Sequence, residues 1–116
     1  MISIKMEFNN LLNLINNNCL INNNEKNVYM NSPSLDLGII PGINDDIKNI
    51  LNNNFNITTT IQLYGQFMLL FENNIEYTTY NFYLWLNTHL ININHEYIIK
   101  ITCSVKEKLQ FILNMN

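Results

Sequence analysis

Apolar residues recur along this chain at the three- and four-residue spacing of amphipathic helices, with polar stretches between the series. The first series predicts a helix of about ten residues and consists of Phe8, Leu11, Leu12 and Ile15. Runs of Asn at positions 16–18 and 22–24 follow it and predict a polar connector, and a partner-binding peptide is the alternative for this N-terminal segment. Later series of the same period predict helices near residues 47–54, 61–71, 77–90 and 94–112. The pattern therefore predicts an all-α fold.

A turn signal separates two of these helical segments. Ser32 and Pro33 suit the start of a short helix, and Pro41 disfavours a helical conformation at the residue before it, so this helix is expected to end there. Gly42 supplies a backbone conformation that is closed to most residues, and Asn44 is placed to cap the next helix. These features predict a helix-hairpin-helix motif, whose outward-facing amides hold a nucleic-acid phosphate.

The helix predicted after Thr58–Thr60 is apolar nearly all round. Such a helix is expected to be buried on more than one side, either at the centre of the domain or against a partner subunit. Gly65 lies within it and costs about 1 kcal/mol relative to Ala, for which close approach of another backbone is the usual compensation. That approach is either tight packing inside one subunit or a dimer contact.

The chain has 116 residues, which is enough for one domain with a single core. Asn dominates the polar residues while Ala and Arg are absent, as in a strongly A/T-biased coding sequence from a large DNA virus or an A/T-rich protist. The formal net charge is −3, with only six lysines and no lysine cluster outside Lys106 and Lys108. Because duplex DNA is normally bound through a basic surface, this charge balance conflicts with the hairpin signal.

Several motifs, in this order and spacing, resemble the barrier-to-autointegration factor family of small all-helical DNA-bridging dimers. They are Pro41-Gly42-Ile43-Asn44, Phe55, Leu63-Tyr64-Gly65-Gln66-Phe67-Met68-Leu69-Leu70 and Phe82-Tyr83-Leu84-Trp85-Leu86. The resemblance extends from about Ser32 to Leu113, and its most specific part is the Gly-Gln-Phe segment with the Phe-x-x-Trp-Leu downstream. It implies a compact five-helix domain of the SAM-like class at 32–116. The N-terminal helix and Asn-rich connector at 1–31 come from the hydrophobic pattern alone, since that segment is longer than the N-terminus of the family and resembles it poorly.

The resemblance also implies two functional surfaces. Phosphate contact would fall to the hairpin and the helix after it, with Gly42 admitting the phosphate and Lys48 supplying charge; the residues are Gly42, Ile43, Asn44 and Lys48. The dimer interface would include Gly65, Gln66, Phe67 and Trp85. The implied partners are double-stranded DNA, a second copy of the chain and nuclear-envelope proteins of the LEM-domain class.

Three functions follow from these observations. The first is a homodimer that binds and bridges double-stranded DNA in chromatin without sequence preference. The second is a virus-encoded mimic or decoy that binds the cellular factor or LEM-domain proteins but binds DNA weakly, because Asp45 and Asp46 flank Lys48 and compete for the hairpin amides. The third is a structural protein that shares only the fold.

The spacing of Tyr77, Tyr80 and Tyr83 also fits a stacking platform for single-stranded bases. Aromatic side chains at this helical spacing more often lie in the core and at its rim.

The sequence does not indicate an enzyme, a cofactor or a metal site. His89, His95 and Cys103 do not follow zinc-site spacing, and neither a carboxylate dyad nor a Gly-rich phosphate loop with lysine occurs. Cys19 and Cys103 are too few and too far apart to imply a disulfide framework, which favours a reducing intracellular location in the nucleus or cytoplasm, of a host cell if the protein is viral. Polar residues interrupt the N-terminal apolar stretch, so neither a signal peptide nor a membrane span is expected.

Overall fold

The computed structural model describes residues 6–17 and 22–113, without the side chains of residues 16 and 17. Within these ranges the chain forms six α-helices and one short 3₁₀-helix, and no strand. The α-helices are α1 (Phe8–Asn17), α2 (Asn23–Asn31), α3 (Asp45–Phe55), α4 (Thr60–Leu69), α5 (Ile75–His89) and α6 (His95–Leu113). The all-α prediction is confirmed. Of the six α-helices in the described residues, four lie in the region 32–116 for which five helices were predicted, and the 3₁₀-helix lies there as well.

The N-terminal helix α1 begins and ends close to where the hydrophobic pattern placed it. Leu11 and Ile15 of its apolar face are buried, and α1 packs against α5. The Phe8 ring stacks on Tyr77 with the ring centroids 4.9 Å apart. Just before the helix, the Tyr80 hydroxyl donates to the carbonyl oxygen of Met6 (2.9 Å). The tyrosines of α5 therefore hold the N-terminal segment, which is a core-and-rim role rather than a stacking platform.

Helix α2 forms where the second Asn run predicted part of a connector. Asn22 is its N-cap, and the side-chain oxygen accepts from the backbone amide of Glu25 (2.7 Å). Asn is among the most favourable N-cap residues, and Glu25 lies in the first turn, where a carboxylate complements the positive end of the helix. The connector prediction is wrong for residues 16, 17, 23 and 24, which lie in α1 and α2, because a run of Asn can end or start a helix.

A lysine from the far end of the chain holds the C-terminus of α2. The Lys108 amino group donates to the carbonyl oxygens of Tyr29 (3.1 Å) and Met30 (2.9 Å), and at 3.4 Å to that of Ser32. These oxygens belong to the end of a helix, where carbonyls lack intrahelical partners and the macrodipole favours a cation. Lys108 is only 8% exposed, and burial lowers the pKa of its amino group.

Tyr29 connects the same helix to two others. Its hydroxyl donates to the carbonyl oxygen of Ser104 in α6 (3.1 Å) and lies 3.1 Å from the Tyr64 hydroxyl in α4. Tyr29 is 2% exposed, and burial raises the pKa of its hydroxyl. The contact joins α2, α4 and α6 through one buried side chain.

The centre of the core lies between α5 and α6, which share the most extensive helix contact in the described residues. Phe82, Tyr83 and Leu86 of α5 are fully buried, as are Ile101 and Val105 of α6. The buried Tyr83 hydroxyl accepts from the Met6 amide (2.9 Å) and lies 2.7 Å from His95 Nε2. Burial lowers the pKa of His95, which favours the neutral imidazole in this contact.

Two further observations concern membranes and cysteines. No helix among the described residues has both the length and the apolarity needed to cross a membrane. Cys103 is buried in α6 and is disulfide-bonded, which two cysteines so distant in sequence did not predict. Cys19 lies outside the described residues.

Replacing Lys108 by Met tests the contribution of its amino group to stability. Methionine keeps an apolar stem of similar length but removes the ammonium group that donates to the carbonyl oxygens of Tyr29, Met30 and Ser32. Of these oxygens, only that of Tyr29 has a second donor among the described residues, the Ser32 amide (3.2 Å). We expect Lys108→Met to lower the free energy of unfolding by about 2 to 3 kcal/mol, measured by urea denaturation with circular dichroism. The control is Lys106→Met, at a half-buried position of the same helix, with an expected change within about 0.5 kcal/mol. Equal effects of the two substitutions would contradict a specific role for Lys108.

Candidate functional site at the hairpin and on α4

The segment before the hairpin is a 3₁₀-helix at Leu37–Ile39 rather than the short α-helix that Ser32 and Pro33 predicted. Serine hydroxyls explain the difference: the amide of Ser34 donates to Ser32 Oγ, and the amide of Asp36 donates to Ser34 Oγ, both at 3.1 Å. Such local side-chain bonds offer the backbone an alternative to a helix. The turn at Gly42 and the helix α3 after it are present, but a single 3₁₀ turn precedes them, so a complete helix-hairpin-helix motif is not established.

Gly42 forms the sharp turn of the hairpin, with φ of +98°, which is a conformation that L side chains rarely adopt. The Ile43 amide closes the turn by donating to the carbonyl oxygen of Ile40 (3.1 Å). A Cβ at Gly42 would lie 2.9 Å from Cγ1 of Ile101 and 3.0 Å from the carbonyl oxygen of Tyr97, both in α6. Glycine is therefore required here by the backbone and by the contact with α6, whether or not a phosphate approaches.

Helix α3 begins as the sequence predicted. The side chain of Asn44 caps it by accepting from the amide of Ile47 (2.9 Å). Asn44 is exposed, whereas Ile43 is 8% exposed and points toward the core. The first amides of α3, those of Asp45 and Asp46, have no acceptor within the helix. The same two residues are exposed and add two negative charges to this end of the helix.

Lys48, the predicted source of positive charge, is paired. Its amino group lies 2.8 Å from Oδ1 of Asp36, and this oxygen also accepts from the amide of Gly38 (2.8 Å). The hydrogen bond with Asp36 raises the pKa of Lys48, and the same bond lowers the pKa of Asp36. Asp45 also interacts electrostatically with Lys48. With the exposed Asp46, the segment from Asp36 to Lys48 carries three carboxylates and one ammonium group, so the hairpin surface is negative overall.

An uncharged apolar surface lies on the opposite side of α4 from the core. Ile61, Met68 and Leu69 are 60%, 37% and 81% exposed, and their spacing places them on one side of the helix. Gly65 is exposed in the middle of them, and a Cβ there would meet no atom within 4 Å. We call these four residues the α4 face. Gly65 had two explanations, tight packing inside one subunit and a dimer contact. Because no described atom lies near the position of its Cβ, tight packing inside one subunit is wrong for the described residues.

The other predicted dimer residues lie in different places. Phe67 is fully buried, with its ring centroid 5.2 Å from that of Phe82, and Gln66 is half-buried. The half-buried Trp85 belongs to an aromatic cluster with Phe55 of α3, whose ring centroid is 5.0 Å away. Phe67 therefore supports α4 from the core side. The hydrophobic pattern predicted that this helix is apolar nearly all round. It did not distinguish Ile61, Met68 and Leu69, which are exposed, from the buried residues of the helix.

Among the described residues, no group of three or more His, Cys, Asp or Glu side chains is placed to hold a metal ion. Comparisons of the chain with protein-family models, with curated proteins and with solved structures found no match. The relation to barrier-to-autointegration factor stays a prediction from the sequence motifs.

A substitution at Gly42 tests why this position is glycine. We expect Gly42→Ala to lower the free energy of unfolding by about 1 to 3 kcal/mol, because it combines a strained φ with a short contact against α6. Urea denaturation in the absence of any ligand measures it.

The matched control is Gly38→Ala, in the turn just before the hairpin. Its Cβ would meet flexible side-chain atoms of Asp36 and Lys48, the nearest at 3.3 Å, and the backbone is not left-handed. We therefore expect Gly38→Ala to change the free energy of unfolding by no more than about 0.5 kcal/mol. If Gly42→Ala were equally mild, the contact with α6 would not explain the glycine.

Proposed function

We propose that this protein is a homodimer of the barrier-to-autointegration factor type and that it assembles through the α4 face. The observation that carries the proposal is the set of exposed Ile61, Met68 and Leu69 side chains around an open glycine. A contiguous apolar surface on an ordered helix is typical of a protein interface. A face of this kind suits an isologous contact, in which the same surface of two subunits pairs about a two-fold axis.

The glycine fits this arrangement energetically. In the interior of a helix it is destabilising by about 1 kcal/mol relative to Ala, and no atom of the described residues lies within 4 Å of the position that its Cβ would take. A second helix that crosses at Gly65 can approach closely, and the larger apolar side chains on either side then lie against it. Exposed Gln62 and half-buried Gln66 supply a polar border to the face.

Protein binding is favoured over DNA binding as the activity of this dimer. Affinity for duplex DNA depends mainly on cations that release counterions from phosphates, and the hairpin's Lys48 is engaged by Asp36. The α4 face, in contrast, carries no charge. We therefore favour a mimic or decoy of the cellular factor, whose α4 face pairs with the same face of a related factor in place of a second copy of the chain. LEM-domain proteins would bind such a dimer at another surface.

Bridging of duplex DNA is the second candidate function, and the hairpin geometry favours it. The turn at Gly42 leads into a capped helix whose exposed first residues present unpaired amides. Two such hairpins in a dimer would give two DNA contacts. The choice between protein binding and DNA bridging depends on whether the attraction of these amides for a phosphate exceeds the repulsion from the carboxylates of Asp36, Asp45 and Asp46.

Sedimentation equilibrium tests the proposed dimer. The wild-type chain is expected to be a dimer at about 0.1 mM, and Gly65→Glu is expected to be a folded monomer, because it places a charge at the centre of an apolar contact. Val28→Glu is the control, since Val28 is 63% exposed on α2 and lies outside the α4 face; it should remain a dimer. A monomeric wild-type chain, or a Gly65→Glu variant that still dimerises, would contradict the proposal.

Titration of duplex DNA at two salt concentrations tests the second candidate. If the hairpin contacts phosphate, Asp36→Asn should strengthen binding by freeing Lys48, while the amide oxygen can still cap Gly38. Lys48→Gln should weaken binding and reduce the salt slope by about one. Absence of binding by the wild-type chain at low ionic strength would exclude DNA bridging and leave the protein-binding function.

A further inference from the structure

Two tyrosines of α5 hold the backbone of Met6, just before α1. The Tyr80 hydroxyl donates to the carbonyl oxygen of Met6, and the Met6 amide donates to the hydroxyl oxygen of Tyr83, both at 2.9 Å. Leu11 and Ile15 of α1 are buried in the adjoining part of the core. We call Met6 and α1 together the N-terminal segment. It is docked on α5 by these two hydrogen bonds and by the apolar face of α1.

The Tyr83 hydroxyl has a second partner in His95, the first residue of α6. Its oxygen lies 2.7 Å from Nε2 of His95, and the two rings meet edge to face with their centroids 5.6 Å apart. Tyr83 is fully buried and His95 is half-buried. Because the tyrosine oxygen accepts from Met6, its own proton is left for the histidine. The arrangement selects the neutral imidazole with its proton on Nδ1, whose Nε2 accepts from Tyr83.

Protonation of His95 removes the acceptor from this network. Both ring nitrogens of an imidazolium are donors, so Nε2 would direct an N–H at the Tyr83 oxygen, which already accepts from Met6. The Tyr83 proton would then lack an acceptor, and a buried donor without a partner is destabilising. The position of His95 adds to the effect, since a cation at the N-terminus of a helix opposes the helix macrodipole.

Departure of Met6 relieves this conflict. Water can take its place beside the Tyr83 hydroxyl and accept the hydroxyl proton, so the charged imidazole is compatible with an undocked N-terminal segment. Helix α1 has 10 residues, which is too few for a helix to be stable alone in water. The segment is therefore expected to lose its helical structure when it leaves α5.

We propose that protonation of His95 controls the docking of the N-terminal segment, which is held on α5 at neutral pH and released in mildly acidic solution. Release uncovers the apolar face of α1 and the tyrosine side chains of α5 against which it packs. A fall in pH thereby exposes an aromatic surface that the protein keeps covered at neutral pH. The inference does not use the dimer proposed above, because it concerns α1, α5 and the start of α6 rather than the α4 face.

The other titratable groups near His95 do not change over this range of pH. On α5 they are the hydroxyls of Tyr83 and, beyond it, Tyr80; burial raises the pKa of Tyr83, so its hydroxyl stays protonated. Glu96 of α6 and Glu7 of α1's approach are both exposed. Burial, rather than a neighbouring charge, lowers the pKa of His95.

The direction of the pH dependence follows from this lowered pKa. In the released state the histidine titrates near its usual pKa of about 6.5. The docked state binds the proton more weakly than the released state does, so docking has its full strength above that pH and weakens as the pH falls below it. A single proton limits the rise of the opening equilibrium to about tenfold for each pH unit.

Hydrogen exchange followed by mass spectrometry tests the proposal on the full chain. After correction for intrinsic exchange rates, we expect the opening equilibrium of the α1 amides to rise about tenfold between pH 7 and pH 5. The amides of α3 are the internal control and should change less than about twofold. An equal rise in both helices would mean general acid destabilisation and would contradict the proposal.

Replacement of each histidine in turn separates their contributions. His95→Gln keeps a side-chain oxygen that can accept from Tyr83 but does not titrate, so α1 should stay protected at both pH values. His89→Gln is the matched control. The His89 ring contacts Trp85, with the ring centroids 5.2 Å apart, and its replacement should leave the tenfold response of α1 unchanged.

Two tyrosine variants provide a test that does not depend on the folding of His95→Gln. Tyr83→Phe removes the hydroxyl that links His95 to Met6, so the response to pH should be lost. Tyr80→Phe removes only the bond to the Met6 carbonyl oxygen, so it should weaken docking equally at pH 7 and pH 5 and keep the response. The proposal is overturned if α1 of the wild-type chain does not respond to pH, or if His95→Gln or Tyr83→Phe responds as the wild type does.

Discussion

The buried amino group of Lys108 is the interaction on which the arrangement of α2, α4 and α6 depends. A cation removed from water is costly unless oxygens replace its hydration, and the end of α2 supplies carbonyl oxygens within 3.1 Å. The Tyr29 ring lies below it, with its centroid 5.2 Å from Nζ. A cation over an aromatic face gains further stabilisation. The carbonyl oxygens and the aromatic ring around the amino group come from the end of α2, whereas Lys108 belongs to α6. The contact therefore fixes α2 against α6 in one orientation.

The position of the candidate interface follows from this anchor. With α2 fixed, the loop after it runs past the start of α4, where the amide of Thr60 donates to the carbonyl oxygen of Leu35 (3.0 Å). Leu35 and Ile61 both line a groove of about 220 Å³ between this loop, the start of α4 and the end of α6. On the other side of α4, Leu63 and Phe67 are fully buried. The core uses one side of the helix, and the other side is left with apolar residues and a glycine.

Local signals in the sequence were sufficient for much of the fold. The period of the apolar residues located α1, and Asn44 and Thr59 cap α3 and α4 through side-chain bonds of the kind that their residue types predict. Helix α2 was missed because its residues are mostly polar and carry no helical period. The Lys108 contact joins residues 79 positions apart, so no local pattern indicates it. The exposed side of α4 was also hidden, since periodicity cannot distinguish two apolar sides of one helix.

The lysines of this protein explain why the α4 face, rather than the hairpin, is the stronger candidate for binding. Lys108 is buried at a helix end, Lys48 is paired with Asp36, and Lys26 lies 3.1 Å from Glu107. Three of the six lysines in the sequence therefore act within the fold. A surface that binds phosphates needs cations that are free to exchange their counterions. Binding through the α4 face needs no cations, because burial of apolar area drives such association and only the shapes of the two surfaces have to match. Ile61 and Leu69, each four residues from Gly65, place large exposed apolar side chains on both sides of the glycine.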